Sequence, residues 1–220
     1  MNLEARRLAR WTRKVLRPHG FSKENTLAVL IACRDELCQD QHNRLARAWG
    51  DPMDGRALAA MPWIGQTGMS AALAHAPKRE DRRRLVVLHL AHIGADPKPG
   101  MTRRDGMDVP TCGAIHALMG APASTGTIRI NDPEQSLMAL RLAQVIDKGT
   151  PRPTDVTAMT ELVREMGLSD LTGLLAEWDA KSCDHAVFSG TLVHSSEGDR
   201  VVLQHAEVRA GGVRSGLLEG

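Results

Sequence analysis

The chain has 220 residues, 42% hydrophobic and 25% charged, which fits one sizeable globular domain and excludes a disordered or fibrous chain. Lys plus Arg number 28 against 26 Asp plus Glu, a net charge of +2, and Tyr is absent. That balance, with aromatics scarce, gives no reason to expect a nucleic acid, and no apolar run nears the roughly 20 residues that span a bilayer.

Residues 3–16 read as a first helix, with Leu3, Leu8, Trp11, Val15 and Leu16 near one face and Arg and Lys on the other. An Arg-rich amphipathic start also suits an organelle transit peptide. Glu4 is acidic, however, and no secretory apolar segment follows, so a helix of the fold is expected. Pro18-His-Gly20 breaks it. Residues 25–32 form a short continuous apolar run, as in a strand buried on both faces, and the run stops at Cys33-Arg-Asp-Glu36. Residues 40–49 look helical and end at Trp49-Gly50, and Gly65-Gln-Thr-Gly68 opens an Ala-rich helical stretch that Pro77 closes.

A second apolar run at 84–91 stops at His92-Ile-Gly94. Residues 96–110 read as a loop broken by Pro97, Pro99, Gly100 and Gly106. The first turns of a helix are expected at 111–119 and a third strand at 127–130. Asp132-Pro-Glu starts a helix to about 148, with Asp as N-cap and Pro at the first position. Two more helices are expected at 154–166 and 169–180, each preceded by a capping Thr or Ser. Residues 186–193 and 200–203 flank Glu197-Gly-Asp199 as a hairpin or strand pair. Strands separated by helices predict a single α/β domain over 1–220, with a mainly parallel central sheet and flanking helices.

Two buried strands thus each end on a possible metal ligand, Cys33 and His92, and ligand sites in open α/β sheets collect at the carboxyl ends of strands. Cys112 precedes a glycine at a helix start, where backbone N–H groups favour a thiolate. Two thiolates and one imidazole with a fourth position open are the ligands of catalytic zinc, not of a closed structural site. By residue type alone, two buried thiols and a capping His account for the same positions. No Cys-x-x-Cys spacing decides between the two. Four cysteines (Cys33, Cys38, Cys112, Cys183) without an export signal predict thiols or metal ligands and a cytoplasmic location.

The string Asn25-Thr-Leu with Cys33-Arg-Asp-Glu-Leu, then Gly65-x-x-Gly68, His75-x-Pro77, His92-Ile-Gly-x-Asp96 and Cys112-Gly113 resembles the limiting-CO2-inducible B/C proteins, a Cys-Gly-His-rich family. The similarity continues through Asp132-Pro-Glu-Gln135, Ala186-Val-Phe-Ser-Gly190 and Glu197-Gly-Asp199. It implies a fold like that of β-carbonic anhydrases, a homodimer, and Zn2+ held by Cys33, His92 and Cys112. On that reading residues 1–20 are an N-terminal helix, 21–120 the zinc-site core, and 121–220 helices and closing strands.

The implied activity is reversible hydration of carbon dioxide to bicarbonate, with zinc lowering the pKa of its water toward 7 so that hydroxide attacks. In the β-enzyme pattern Cys-x-Asp-x-Arg, the Asp is held by the Arg and orients that nucleophile. Asp35 matches the Asp, but Leu37 stands where the Arg would be, so Arg34 is the nearest substitute and Arg44 another. His89 lies three residues from His92 and so faces the other side of the strand, where a satisfied buried histidine is expected. His75, His116 and Gln66 are candidates for the pocket lining, and Cys38 and Cys183 for ordinary buried thiols. Close backbone packing beside the metal is the expected role of Gly65 and Gly68. The main rival is a non-catalytic zinc-binding relative acting through a partner subunit. Further rivals are a zinc hydrolase using Glu36 as base and a thiol redox protein, the latter disfavoured by the absence of a vicinal cysteine pair.

Overall fold

The computed structural model describes residues 1–79, 81–120, 131–176 and 183–218. In chain order its strands are β1 (Asn2–Glu4), β2 (Leu27–Ala32), β3 (Met53–Asp54), β4 (Lys78–Arg79), β5 (Arg82–Gly94), β6 (Met101–Arg104), β7 (Met107–Pro110), β8 (Cys183–His194), β9 (Arg200–Ala210) and β10 (Val213–Gly216). The α-helices are α1 (Ala5–Leu16), α2 (Gln39–Trp49), α3 (Gly65–His75), α4 (Gly113–Gly120), α5 (Pro133–Asp147) and α6 (Val156–Ala176).

The central sheet runs β1-β9-β8-β5-β2-β3, with β10 added to β9 and β4 to β5. Its core is parallel: β3 with β2, β2 with β5, and β5 with β8. The edge built from β9, β1 and β10 is antiparallel. This is a single α/β domain with helices on both faces.

Continuous apolar strands fit because both faces are covered. Along β2, Ala28, Leu30 and Ala32 join one buried cluster with α1 and α2, while Val29 and Ile31 join a second with α3. Strand β5 alternates in the same way: Val86, Leu88 and Leu90 go to the first cluster, Leu85 and Val87 to the second. His92 follows the even-numbered set and His89 the odd. Among the described residues no helix is long and apolar enough to cross a membrane.

Several elements differ from the sequence reading. Strand β5 does not stop at residue 91 but continues through His92 to Gly94, because β8 pairs with it from Arg83↔Cys183 to Gly94↔His194. The expected loop at 96–110 contains the β6–β7 hairpin. Its turn is Asp105-Gly106, both at positive φ (50° and 78°), the pair that a two-residue hairpin turn prefers. The two helices expected from 154 are one, α6, running through Gly167 and Ser169. Its N-cap is Asp155, whose Oδ1 accepts from the Ala158 N–H at 2.9 Å. Residues 177–180 of the expected second helix, and the expected strand at 127–130, lie outside the described residues. Asp132 precedes α5 without a side-chain cap; its carbonyl instead accepts from Ser136 Oγ at 2.8 Å.

Candidate metal centre

Cys33 follows the last residue of β2 and makes an isolated parallel bridge to Ala57, while the Ala57 N–H donates to the Ala32 carbonyl at 3.1 Å. The chain beyond β2 is thereby fixed. His92 sits on the neighbouring parallel strand. Cys112 reaches the same place by a longer route, over the β6–β7 hairpin. The close of that excursion is stitched: the Thr111 N–H donates to the Gly100 carbonyl at 2.8 Å, and Gly100 N–H to the Gly94 carbonyl at 2.8 Å. Cys112 itself has φ +55°, and its carbonyl accepts from the Ile115 N–H at 3.0 Å as α4 begins. Gly94 is required there. A Cβ on it would lie 1.9 Å from the Met101 carbonyl oxygen and 2.2 Å from Thr111 Oγ1.

The ligand atoms of Cys33, His92 and Cys112 lie within 4.8 Å of one another, and all three residues are buried. The two sulfurs are 4.0 Å apart. Two sulfurs each about 2.3 Å from a tetrahedral zinc would be separated by about 3.8 Å, so the spacing suits one ion. His92 Nε2 is buried and has no hydrogen-bond partner among the described residues. Its nearest acid is Asp35, with Oδ2 3.9 Å away. Such an orphaned nitrogen beside two thiols and a carboxylate fits a divalent cation.

The thiols reinforce that fit. Hydrogen bonding from the Cys112 thiol holds the Cys33 thiol well below its ordinary range. The same bond, together with burial, pushes the Cys112 thiol up. The two sulfurs share a proton at 4.0 Å, where a cation would displace it.

Asp35 stands beside this group with 21% of its side chain exposed, whereas the three ligands are buried. Its Oδ1 accepts from the Leu37 N–H at 3.0 Å. Neither substitute arginine is on it. Arg34 reaches outward, with Nη2 2.6 Å from Glu134 Oε1 of α5 and Nε donating to the Arg56 carbonyl at 3.0 Å. Arg44 pairs with Asp40 one helical turn away. The Leu37 amide thus holds the carboxylate that an arginine holds in the β-enzyme pattern.

The other singled-out residues fall elsewhere. His75 and Gln66 are exposed on α3, and His116 Nε2 donates to the Gly100 carbonyl at 2.9 Å. Glu36 is exposed and pairs with Arg104. Gly68 makes room for Ile64, which a Cβ would approach to 2.7 Å. Cys183 is buried at the start of β8, with its thiol 3.4 Å from the Asp184 carbonyl. His89 is fully buried with both nitrogens used: Nε2 donates to the Ala60 carbonyl at 3.1 Å, so Nδ1 accepts from the Ser189 hydroxyl at 2.9 Å.

Residues 2–209 match the family described as limiting CO2-inducible proteins B/C, β-carbonic anhydrases. The chain belongs to that family. The solved structure of the limiting CO2-inducible protein LCIB superposes with a TM-score of 0.79 at 20% identity, covering 98% of this chain and 93% of that one. A homologue of LCIB superposes with a TM-score of 0.77 at 22% identity over 99% and 95%. A single-residue variant of the same homologue gives 0.83 at 21% over 99% and 94%. At these identities the superpositions establish the fold. No curated protein matches the sequence.

In this member of the limiting CO2-inducible family, His194 and Asp199 beside the candidate ligands escaped sequence reasoning, and Cys38, expected to be an ordinary buried thiol, lies there too. His194 ends β8 as His92 nears the end of β5, and its Nε2 lies 3.3 Å from His92 Nδ1. Asp199, after the turn that follows β8, places Oδ2 3.0 Å from His194 Nδ1. Cys38 is buried, and its sulfur lies within 4.8 Å of ligand atoms of His92 and His194. The signal available for His194 is its place at the end of the β8 apolar run, the same kind of place that singled out His92.

Proposed function

We propose that the chain is a zinc-dependent carbonic anhydrase, catalysing reversible hydration of carbon dioxide to bicarbonate, with Cys33, His92 and Cys112 as zinc ligands. The observation that carries this reading is the convergence of two buried sulfurs and an orphaned imidazole nitrogen beside the carboxylate of Asp35, in a chain of carbonic-anhydrase-like family. Two thiolates and one imidazole are a soft donor set that favours zinc over magnesium or calcium. Zinc, when bound, supplies a Lewis acid that makes water nucleophilic near neutral pH.

The protein's own groups do the rest. Cys33 and Cys112 supply negative charge that moderates the cation. Asp35, anchored through Oδ1 on the Leu37 amide, keeps Oδ2 to accept a hydrogen bond from the attacking water and turn its lone pair toward carbon dioxide. Asp35 is the partly exposed member of the group, so the approach for substrate is on its side. The family resemblance also supports a homodimer, which light scattering would test: a 23.9 kDa particle at micromolar concentration contradicts it.

A second reading has one observation behind it. With no arginine among the described residues holding it, and 3.9 Å from His92 Nε2, Asp35 is placed to become a permanent fourth ligand. The centre would then be closed, and the chain a non-catalytic zinc protein acting through a partner subunit. Carbon dioxide hydration measured from pH 6 to 9 on zinc-loaded protein separates the two. The proposed function predicts turnover above background that Asp35→Asn lowers about 10- to 100-fold while zinc stays bound. Full zinc loading without turnover would favour the closed relative.

A further inference from the structure

Each of the two imidazoles His92 and His194 is buried, and they stand on adjacent parallel strands two register steps apart. The rings meet edge-on, with centroids 5.4 Å apart and planes at 81°. One ring therefore aims a nitrogen at the edge of the other. The line continues from His194 Nδ1 to Asp199 Oδ2 at 3.0 Å. Asp199 is held in place through its backbone, whose carbonyl accepts from the Ala5 N–H at 2.9 Å at the start of α1.

Proton positions along this line follow from what each group can do. An ionised carboxylate only accepts, so His194 must donate from Nδ1. A neutral His194 then has its lone pair on Nε2, where it accepts. His92 must donate from Nδ1, which leaves the lone pair on His92 Nε2. That nitrogen is the orphaned one. We infer that His194 and Asp199 are positioning residues that fix His92 as the Nδ1–H tautomer and aim its bare Nε2 at Cys33, Cys112 and Asp35. The hydrogen bond on one ring nitrogen decides which form the other takes. The inference rests on the proposed metal centre for its purpose, though not for its geometry.

His89, three residues away on the same strand, is the built-in control. Its Nε2 faces a carbonyl and its Nδ1 a hydroxyl, so it carries the opposite tautomer.

Long-range proton–nitrogen correlation spectra of the full, zinc-free chain labelled with nitrogen-15 in histidine read both tautomers directly. The expected result is Nδ1–H at His92 and Nε2–H at His89. Asp199→Asn and His194→Leu should each shift His92 toward Nε2–H and weaken zinc binding about 10- to 100-fold, measured by competition with a chromophoric chelator. His194→Gln keeps an acceptor for His92 Nδ1 and should retain the tautomer and most of the affinity. Should His194→Leu fail to fold, the wild-type spectrum and the Gln variant still decide. Nε2–H at His92 in the wild type overturns the inference, and so does unchanged affinity in Asp199→Asn and His194→Leu. Zinc that survives Cys33→Ser with Cys112→Ser but is lost in Cys38→Ser would make His194 a ligand alongside Cys38 and His92, and would also overturn it. A wild type with Nδ1–H at His92 that binds no zinc supports the positioning and removes the metal reading.

Discussion

His89 and His92 share a strand, burial and residue type, yet they sit in opposite situations. On the His89 side of β5 the ring is enclosed by Ala60, Ser189 and Gly167 of α6, and both nitrogens are occupied by the protein. On the His92 side one nitrogen is occupied by His194 and the other faces sulfur and carboxylate without a partner among the described residues. A buried histidine becomes a candidate ligand through the nitrogen that the fold leaves bare, not through burial. Burial, and then the nearby Arg164, pushes the His89 pKa down to about 4, so that ring is a neutral strut.

The sharpest way to break the comparison is to delete each ring. His92→Ala should abolish zinc binding with the fold retained, as should Cys33→Ser or Cys112→Ser. His89→Ala should keep zinc and lose about 3 kcal/mol of stability, because it leaves a cavity and strips partners from the Ala60 carbonyl and the Ser189 hydroxyl. Zinc content alongside a denaturant melt reads both effects.

Two glycines, Gly94 on the strand of His92 and Gly167 against His89, offer a second contrast. Gly94→Ala drives a Cβ into the Met101 carbonyl and should cost about 3 kcal/mol or more, with zinc lost as the Cys112 segment shifts. Gly167→Ala puts a Cβ 2.7 Å from His89 Nε2. The helix gains about 1 kcal/mol from the Gly-to-Ala change, but the clash costs about 1–3 kcal/mol, so a small net loss is expected with zinc unaffected. A gain in stability would show that His89 moves aside freely.

Acid sharpens the comparison further. His89 has a folded pKa below its unfolded value of about 6.5, so the unfolded chain takes up the proton first. Its contribution is fully present above about pH 6.5 and is lost progressively as pH falls toward 4, by at most about 3 kcal/mol. His185 and His205, also lowered by burial, add in the same direction. Melting temperatures between pH 7 and 4 should fall less steeply for His89→Ala than for the wild type. The smallest effect belongs to Arg34→Ala. It removes an exposed ion pair with Glu134 and should change stability by under about 1 kcal/mol, leaving zinc binding intact.

The parallel core and its strand ends were legible because both-face burial writes Val, Leu, Ile and Ala without interruption, and the run stops where chemistry begins. The opposite facing of His89 and His92 followed from their odd spacing alone. The hairpin at 101–110 carried its own mark in Asp105-Gly106, obscured by the prolines before it. The break expected near Gly167 misread a glycine whose missing side chain leaves room for His89. His194 and Asp199 were harder, since the register that sets Gly94 opposite His194 joins segments 100 residues apart and no local pattern encodes it. The same distance hid Glu134, which takes Arg34 away from Asp35.

The two faces of β5 have different work, and carbon dioxide hydration by zinc-supplemented wild type, His89→Ala and His92→Ala at one pH above neutrality tests that most directly. Hydration above background is predicted for the wild type and for folded His89→Ala, and background alone for His92→Ala. Background rates from a fully zinc-loaded wild type, or undiminished hydration by His92→Ala, would contradict it.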